Sequence, residues 1–271
     1  MEYATRASLT ADLRRLGIDG DAVVLVHSSY KSLGFVVGGP QAVVEALLEV
    51  AGTVVVPTHT PDNTDPATWN SPPVPSAWWD AIRGEAPGFD VGRTPASQWM
   101  GRVAELVRTW PGSLRSDHPQ VSFAAVGPRA AEIVGDHVRD DGLGERSPLG
   151  AVYRMDGRIL LLGCGHDSNT SLHLAESRVQ TAPRQVTGSS VRGRDGVARW
   201  ETWSEVVADA NDFELIGEAF EKTGAVTVGP VGAATGRFMG QRAAVDFARE
   251  WIVRHRPGWS PAASAVDGGG R

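Results

Sequence analysis

The chain has 271 residues, 41% hydrophobic and 21% charged, enough to bury a sizeable core in one large domain or two small ones. One cysteine excludes a disulfide framework and a cysteine-based zinc site, while no apolar run nears the ~18 residues that span a bilayer and the charged opening MEYATRASLTADLRRLGI lacks the apolar stretch of a signal peptide, so a soluble cytoplasmic protein is expected. Twenty-six basic residues against 32 acidic ones give a net charge of −6, which argues against nucleic acid as the main partner and is compatible with a cationic ligand.

Thr10 is placed to cap a first amphipathic helix through Leu13, Leu16 and Ile18. The β-branched run AVVLV (22–26) predicts a buried strand, followed by the loop HSSYKSLGFVVGG. Pro40 suits a first helical turn, and QAVVEALLEV has helical apolar spacing. TVVVP (53–57) completes a βαβ unit, which implies a parallel strand pair. Residues 58–101 are Pro-rich and irregular and carry Trp69, Trp78, Trp79 and Trp99, which either pack the segment onto the body or wall a substrate site. Then follow a helix over 102–110, a strand over 122–127, a helix in PRAAEIVGDH, a short helix in SPLGAVYRM and a buried strand in RILLLGCG (158–165). NTSLHLAESRV (169–179) is helical with Asn169 or Thr170 as N-cap, and 186–203 forms an antiparallel hairpin. DFELIGEAFEKTG is a helix ended by Gly224, AVTVGPVGAATGRFM a strand and turn, and QRAAVDFAREWIVRHR the last helix. With no repeat and no linker, the expected fold is one α/β domain over 1–256, with a mixed, centrally parallel sheet flanked by helices and an irregular Pro/Trp-rich loop; the tail 257–271 is expected to fray.

Three strand ends run into polar residues: His27-Ser28-Ser29, Thr58-His59-Thr60 and His166-Asp167-Ser168-Asn169. Ligands of open α/β sheets sit beyond the carboxyl ends of strands, so these loops are the first place to look. The hydroxyls, backbone N–H groups and ammonium of His27–Ser32 suit a phosphate or make an ordinary polar loop; Walker A and GxGxxG patterns are absent. His173 shares a helical face with Asn169 and Glu176, as a hydrogen-bonded core residue or as a proton carrier. A metal set of His166, Asp167 and His173 matches neither HExxH nor a facial triad, so no metal is expected. Cys164 sits in a buried strand as a small hydrophobe, and Ser28 and Ser29 lack the GxSxG elbow of a nucleophile.

The stretch LVHSSYKSLGFVVGGPQAVVEALLEVAGTVVVPTHT resembles the opening of the aminoglycoside 3-N-acetyltransferase family. The similarity continues through DPATWNSPPVPSAWWDAIR, GFDVGRTP, RSDHPQVSFAAVG, GERSPLG and LLLGCGHDSNTSLHLAE, closely over residues 8–180 and more loosely beyond. The resemblance implies acetyl transfer from acetyl-CoA to the 3-amino group of the 2-deoxystreptamine ring; direct attack in a ternary complex is expected because no activated Cys or Ser is apparent. It places the catalytic base on His173, in LHLAE. Glu205 is the best match to the orienting carboxylate, with Glu201 and Glu176 as alternatives; Val207 stands where the family often has a second carboxylate. The HSS segment matches the coenzyme region, making Ser28, Ser29, Lys31 and Ser32 candidate contacts, with Ser147 of GERSPLG as another. His27 is either beside the thioester, assisting catalysis, or structural; His118 is a loop anchor or a site residue. A polycationic substrate calls for carboxylates, for which Asp62, Asp65 and Asp90 are candidates in the long loop and Glu176 and Glu205 deeper. Acetylation of a different amine, metal-dependent hydrolysis and non-catalytic binding of a cationic drug are the competing functions, and a monomer and a homodimer both remain open.

Overall fold

The computed structural model describes residues 3–69 and 72–259. In chain order the elements are β1 (Tyr3–Ala4), α1 (Arg6–Arg15), β2 (Val23–Ser28), β3 (Phe35–Val36), α2 (Gly39–Val50), β4 (Thr53–Pro57), α3 (Trp79–Glu85), α4 (Gly101–Arg108), β5 (Leu114–Arg115) and β6 (Phe123–Val126). There follow α5 (Ala130–Val134), α6 (Pro148–Arg154), β7 (Arg158–Leu162), α7 (Ser171–Ser177), β8 (Arg184–Arg192), β9 (Ala198–Val206), α8 (Phe213–Glu221), β10 (Val226–Val231), β11 (Ala234–Gly240) and α9 (Gln241–His255).

A seven-stranded sheet runs in the order β10-β11-β7-β2-β4-β6-β5. Its centre is parallel, with Leu25 opposite both Val55 and Ile159; the flanking pairs are antiparallel. The mixed, centrally parallel sheet is therefore as expected. Residues 226–239 hold more than a strand and turn: β10 and β11 form a hairpin that extends the sheet past β7, with Gly236 opposite Leu162.

Strand alternation builds the two cores. Val24, Val26, Val54 and Val56 face Leu9 and Leu13 of α1, Val44 and Leu47 of α2, and Val103 of α4. Val23, Leu25, Val55 and Phe123 face the other layer, including Leu149 of α6, Leu172 and Leu174 of α7, Phe213 of α8 and Val245 of α9. Burying each such side chain stabilises by about 1.5–3 kcal/mol.

Local chemistry moved some boundaries. The first helix begins a turn earlier than expected: the Thr5 side chain accepts from Ser8 N–H at 3.1 Å and Ser8 Oγ from Thr5 N–H at 2.9 Å, a reciprocal cap. Thr10 lies inside that helix, buried, with Oγ1 3.4 Å from Glu49. The described residues of the 58–101 segment form short 3-10 turns and α3, tied to the β8–β9 hairpin by an Asn63 Nδ2 bond to Ser190 O and by a Phe89–Val191 bridge. At the end of the chain, Trp259 is buried against the second core, so the packed body reaches past 256; the rest of the expected tail, 260–271, lies outside the described residues. Among the described residues no helix is long and apolar enough to cross a membrane.

Candidate active site

The carboxyl ends of β2, β4 and β7 bring together the three loops singled out from the sequence. The turn after β7 leads into α7. Asn169 Oδ1 accepts from Ser171 N–H at 3.3 Å, so Asn169, rather than the Thr170 side chain, serves the start of that helix.

His173 sits in the middle of α7 with its ring tilted against Phe213 at 4.7 Å. Its Nδ1 lies 2.6 Å from Glu176 Oε2, one turn on. Glu176 is buried and is itself held: Asp209 N–H donates to Oε1 at 3.2 Å, and the Arg256 guanidinium forms an ion pair with Oε1. Arg256 also donates to Asp212 Oδ2 at 2.8 Å and lies 4.7 Å over the Trp259 ring. A carboxylate paired with arginine is an acceptor, so Nδ1 of His173 donates to Glu176, which leaves Nε2 as the ring nitrogen not engaged by that carboxylate. That ring lines a narrow cleft of about 80 Å³ together with Asp140, Glu205, Val206 and Ala208.

Of the three carboxylates considered, the His173 ring is bonded to Glu176 and not to Glu205 or Glu201. Glu205 lines the same cleft but accepts from Trp203 Nε1 at 3.1 Å, and burial raises its pKa. Glu201 is exposed and pairs with Arg139 at 3.5 Å. Glu176 is the carboxylate bonded to the His173 ring; it was expected to contact substrate, and it is buried and engaged by Arg256 and Asp209.

His27, at the end of β2, is 5% exposed and lines a cavity of about 230 Å³ with Ser28, Trp99, Cys164, Ser168 and Thr170. Burial, aided by His173, lowers its pKa to about 3, so the ring is neutral near pH 7. Next to it, Ser32 Oγ lies 2.9 Å from Ser29 Oγ and 3.0 Å from Gly163 O. Gly163 has a φ of +72°, and a Cβ there would meet Ser32 at 2.7 Å, so this close approach requires glycine. Lys31 is exposed beside these hydroxyls.

Other candidates are committed elsewhere. Ser147 is buried as the N-cap of α6, accepting from Leu149 N–H at 3.2 Å and donating to Gly144 O at 2.7 Å, so it offers no hydroxyl to a coenzyme. His118 is fully buried; its Nδ1 accepts from Gln120 and Val121 N–H at 3.2 and 3.1 Å, and its ring stacks on His137 at 4.7 Å, which makes it the loop anchor rather than a substrate contact. Asp65 is bound by Arg83 at 2.8 Å and caps Ala67 N–H, and Asp90 Oδ1 accepts from Gly92 and Arg93 N–H within its own turn. Both are structural carboxylates instead of substrate ligands. Asp62 alone of the three loop aspartates is exposed, and it lines adjoining cavities of about 340 and 360 Å³ with Thr64 and Trp69. His166, one of the metal candidates, donates Nε2–H to Glu221 Oε1 at 3.0 Å. Among the described residues no group of three or more His, Cys, Asp or Glu side chains is arranged to hold a metal ion.

Sequence reasoning missed Arg256, Asp209 and Phe213. Only the basic end of the last helix hinted at the first, and nothing tied it to α7.

The structure is thus a mixed α/β sheet whose helix after β7 carries a histidine bonded to a buried carboxylate. Comparison gives the family: the chain belongs to the aminoglycoside 3-N-acetyltransferase family, whose model matches residues 25–253. The SPbeta prophage-derived aminoglycoside N(3')-acetyltransferase-like protein YokD of Bacillus subtilis is 40% identical over 261 residues, 93% of each chain. The crystal structure of YokD has a TM-score of 0.91 at 39% identity, covering 94% of this chain and 95% of that one. AAC-IIIb in a binary complex with CoASH has a TM-score of 0.82 at 28% identity, covering 93% and 97%. AAC-VIa bound to sisomicin has a TM-score of 0.83 at 29% identity, covering 94% and 100%.

Proposed function

We propose that this protein transfers the acetyl group of acetyl-CoA to the 3-amino group of the 2-deoxystreptamine ring of aminoglycosides, and so confers resistance. The observation that carries this reading is His173, with Nδ1 tied to the buried Glu176 and Nε2 left to accept a proton. An alkylammonium is not a nucleophile; its nitrogen attacks a thioester only once a proton has left. The ammonium's own proton goes to solvent; as the free amine attacks, His173 Nε2 takes the N–H proton made acidic by the new C–N bond, and Glu176 stabilises the imidazolium that results. The acidic cleft beside it, with Asp140 and Glu205, and the exposed Asp62 on the far loop suit a substrate carrying several positive charges.

For the coenzyme side, the cavity at His27 and Ser28, followed in the chain by the Ser29 and Ser32 hydroxyls and the exposed Lys31, has the donors that a pantetheine amide and a phosphate require. The AAC-IIIb relative was solved with CoASH and AAC-VIa with sisomicin, which supports both ligands. Direct attack is favoured over an acyl-enzyme because burial pushes the Cys164 thiol up to about 11, leaving little thiolate near pH 7.

The test is thiol release from acetyl-CoA with gentamicin-, kanamycin- and neomycin-type drugs. Release that depends on drug supports the reading. A second reading, acetylation of another amine by the same site, is favoured by the 40% identity to YokD, whose name gives it only as acetyltransferase-like. Release with other primary amines but with none of the drugs would select it. Drug binding with no release for any amine would instead indicate a sequestering protein.

A further inference from the structure

His27 and His59, beside the site, take no part in the proton transfer to His173. The Nε2 atoms of His27 and His59 are both buried and without a hydrogen-bond partner among the described residues. Such atoms are costly unless something in the working protein engages them.

The fold places both on the face that carries the base. Along β2, Val23 and Leu25 belong to the core layer shared with Leu172 and Leu174 of α7, and His27 is next in that alternation. Along β4, Val55 belongs to the same layer. The backbone stays in the ladder past Pro57, because Thr58 N–H donates to Ser122 O at 2.8 Å and Thr60 N–H to Gln120 O at 2.7 Å; His59 therefore continues the face of Val55. Its ring stands edge-on to Phe123 at 5.2 Å, and Ser97 N–H holds its carbonyl at 2.9 Å. β2 and β4 are neighbouring strands, so the two rings rise from adjacent strand ends toward α7, which bears His173. Burial before all, with His173 as the second cause, lowers both to about 3. Near pH 7 they are neutral N–H donors that add no charge to oppose protonation of His173.

We propose that His27 and His59, in their Nε2–H tautomers, are catalytic hydrogen-bond donors to the carbonyl oxygen of the acetyl thioester. This rests on the acetyl-transfer reading above. As the amine nitrogen bonds to the carbonyl carbon, the C=O π pair moves onto oxygen, where the two N–H groups hold it. The amine proton passes to His173 Nε2. The pair then returns, the C–S bond breaks, and the leaving sulfur takes the proton from His173. His27 and His59 keep their own protons throughout, which is what fixed donors aimed at developing charge require.

The test is infrared spectroscopy of acetyl-CoA, labelled with ¹³C at the thioester carbonyl, bound to the protein. The bound carbonyl band is expected below its position in water, and His27→Phe and His59→Phe are each expected to return part of that shift. His59→Gln, which keeps an N–H donor and is the gentler change for folding, is expected to return less. In thiol release His59→Phe is expected to lower kcat by at least about 10²-fold with little change in KM for acetyl-CoA, the scale for one such donor. A parent band at its position in water, or one that none of the substitutions moves, overturns the proposal and leaves acetyl transfer standing. Failure of the parent to bind acetyl-CoA overturns both.

Discussion

Arg256, the residue that closes the last helix, forms a buried ion pair with Glu176, 80 residues earlier in the chain and one turn beyond His173. The C-terminal end of the fold thereby fixes the carboxylate that is bonded to the His173 ring. Asp212 and Asp209 complete the arginine's contacts, and the Trp259 ring covers it.

Removing one partner of a buried pair leaves the other charge uncompensated. Arg256→Met should therefore destabilise the fold by about 3–5 kcal/mol and lower kcat as Glu176 loses its anchor. Urea unfolding measures the first effect. Stability equal to the parent's would show that the pair is not closed in solution.

How much of this was legible in the sequence differs by element. The central strands announced themselves, because AVVLV, TVVVP and RILLL are β-branched or aliphatic runs that must be buried on both faces. The start of α1 did not, because Thr5 and Thr10 are both capable caps and the choice rests on the Ser8 hydroxyl reaching back to Thr5 N–H. His173 and Glu176 could be placed on one helical face from their spacing alone. Which carboxylate braces the ring could not, since that is decided by Arg256 and Asp209 approaching from distant segments. The loop aspartates show the same limit: Asp62, Asp65 and Asp90 are alike in sequence, and only the position of Arg83 and the turn at 90–94 separate the two structural ones from the exposed one.

That separation is testable. Asp62→Asn should raise KM for a cationic substrate several-fold with little change in stability, the usual scale for a partly exposed charge of about 1 kcal/mol. Asp65→Asn should loosen the loop, read as faster proteolysis within 58–101, and have the smaller effect on KM. The reverse pattern would return Asp65 to the substrate wall.

Acid should destabilise the protein through its buried histidines. Burial holds His27 and His59 at about 3 and His118 well below its ordinary value of 6.5. The unfolded chain takes up these protons below about 6.5 and the folded protein does not. Their contribution is therefore neutral to pH above that value and destabilising as pH falls from about 6.5 toward 3, by up to about 1.4 kcal/mol per histidine per pH unit. Urea titrations at pH 7.5 and 5.5 should show the loss. Equal stability at the two would mean that these rings are accessible to protons in the folded state.

Gly217 on α8 packs against the ring of His166, where a Cβ would come within 1.9 Å. Gly217→Ala should cost about 1–3 kcal/mol through overpacking, despite alanine's better helix propensity. A thermal melt at or above the parent's would show that the turn after β7 yields freely.

The most direct test of the central claim compares three substitutions in drug-dependent thiol release: His173→Ala, Glu176→Gln and Glu205→Gln. If His173 braced by Glu176 is the base, the first should lose at least about 10²-fold in kcat and the second should follow it, while Glu205→Gln acts mainly on KM for the drug. A kcat unchanged in His173→Ala, or a Glu205→Gln that falls in kcat with Glu176→Gln unaffected, would contradict the account.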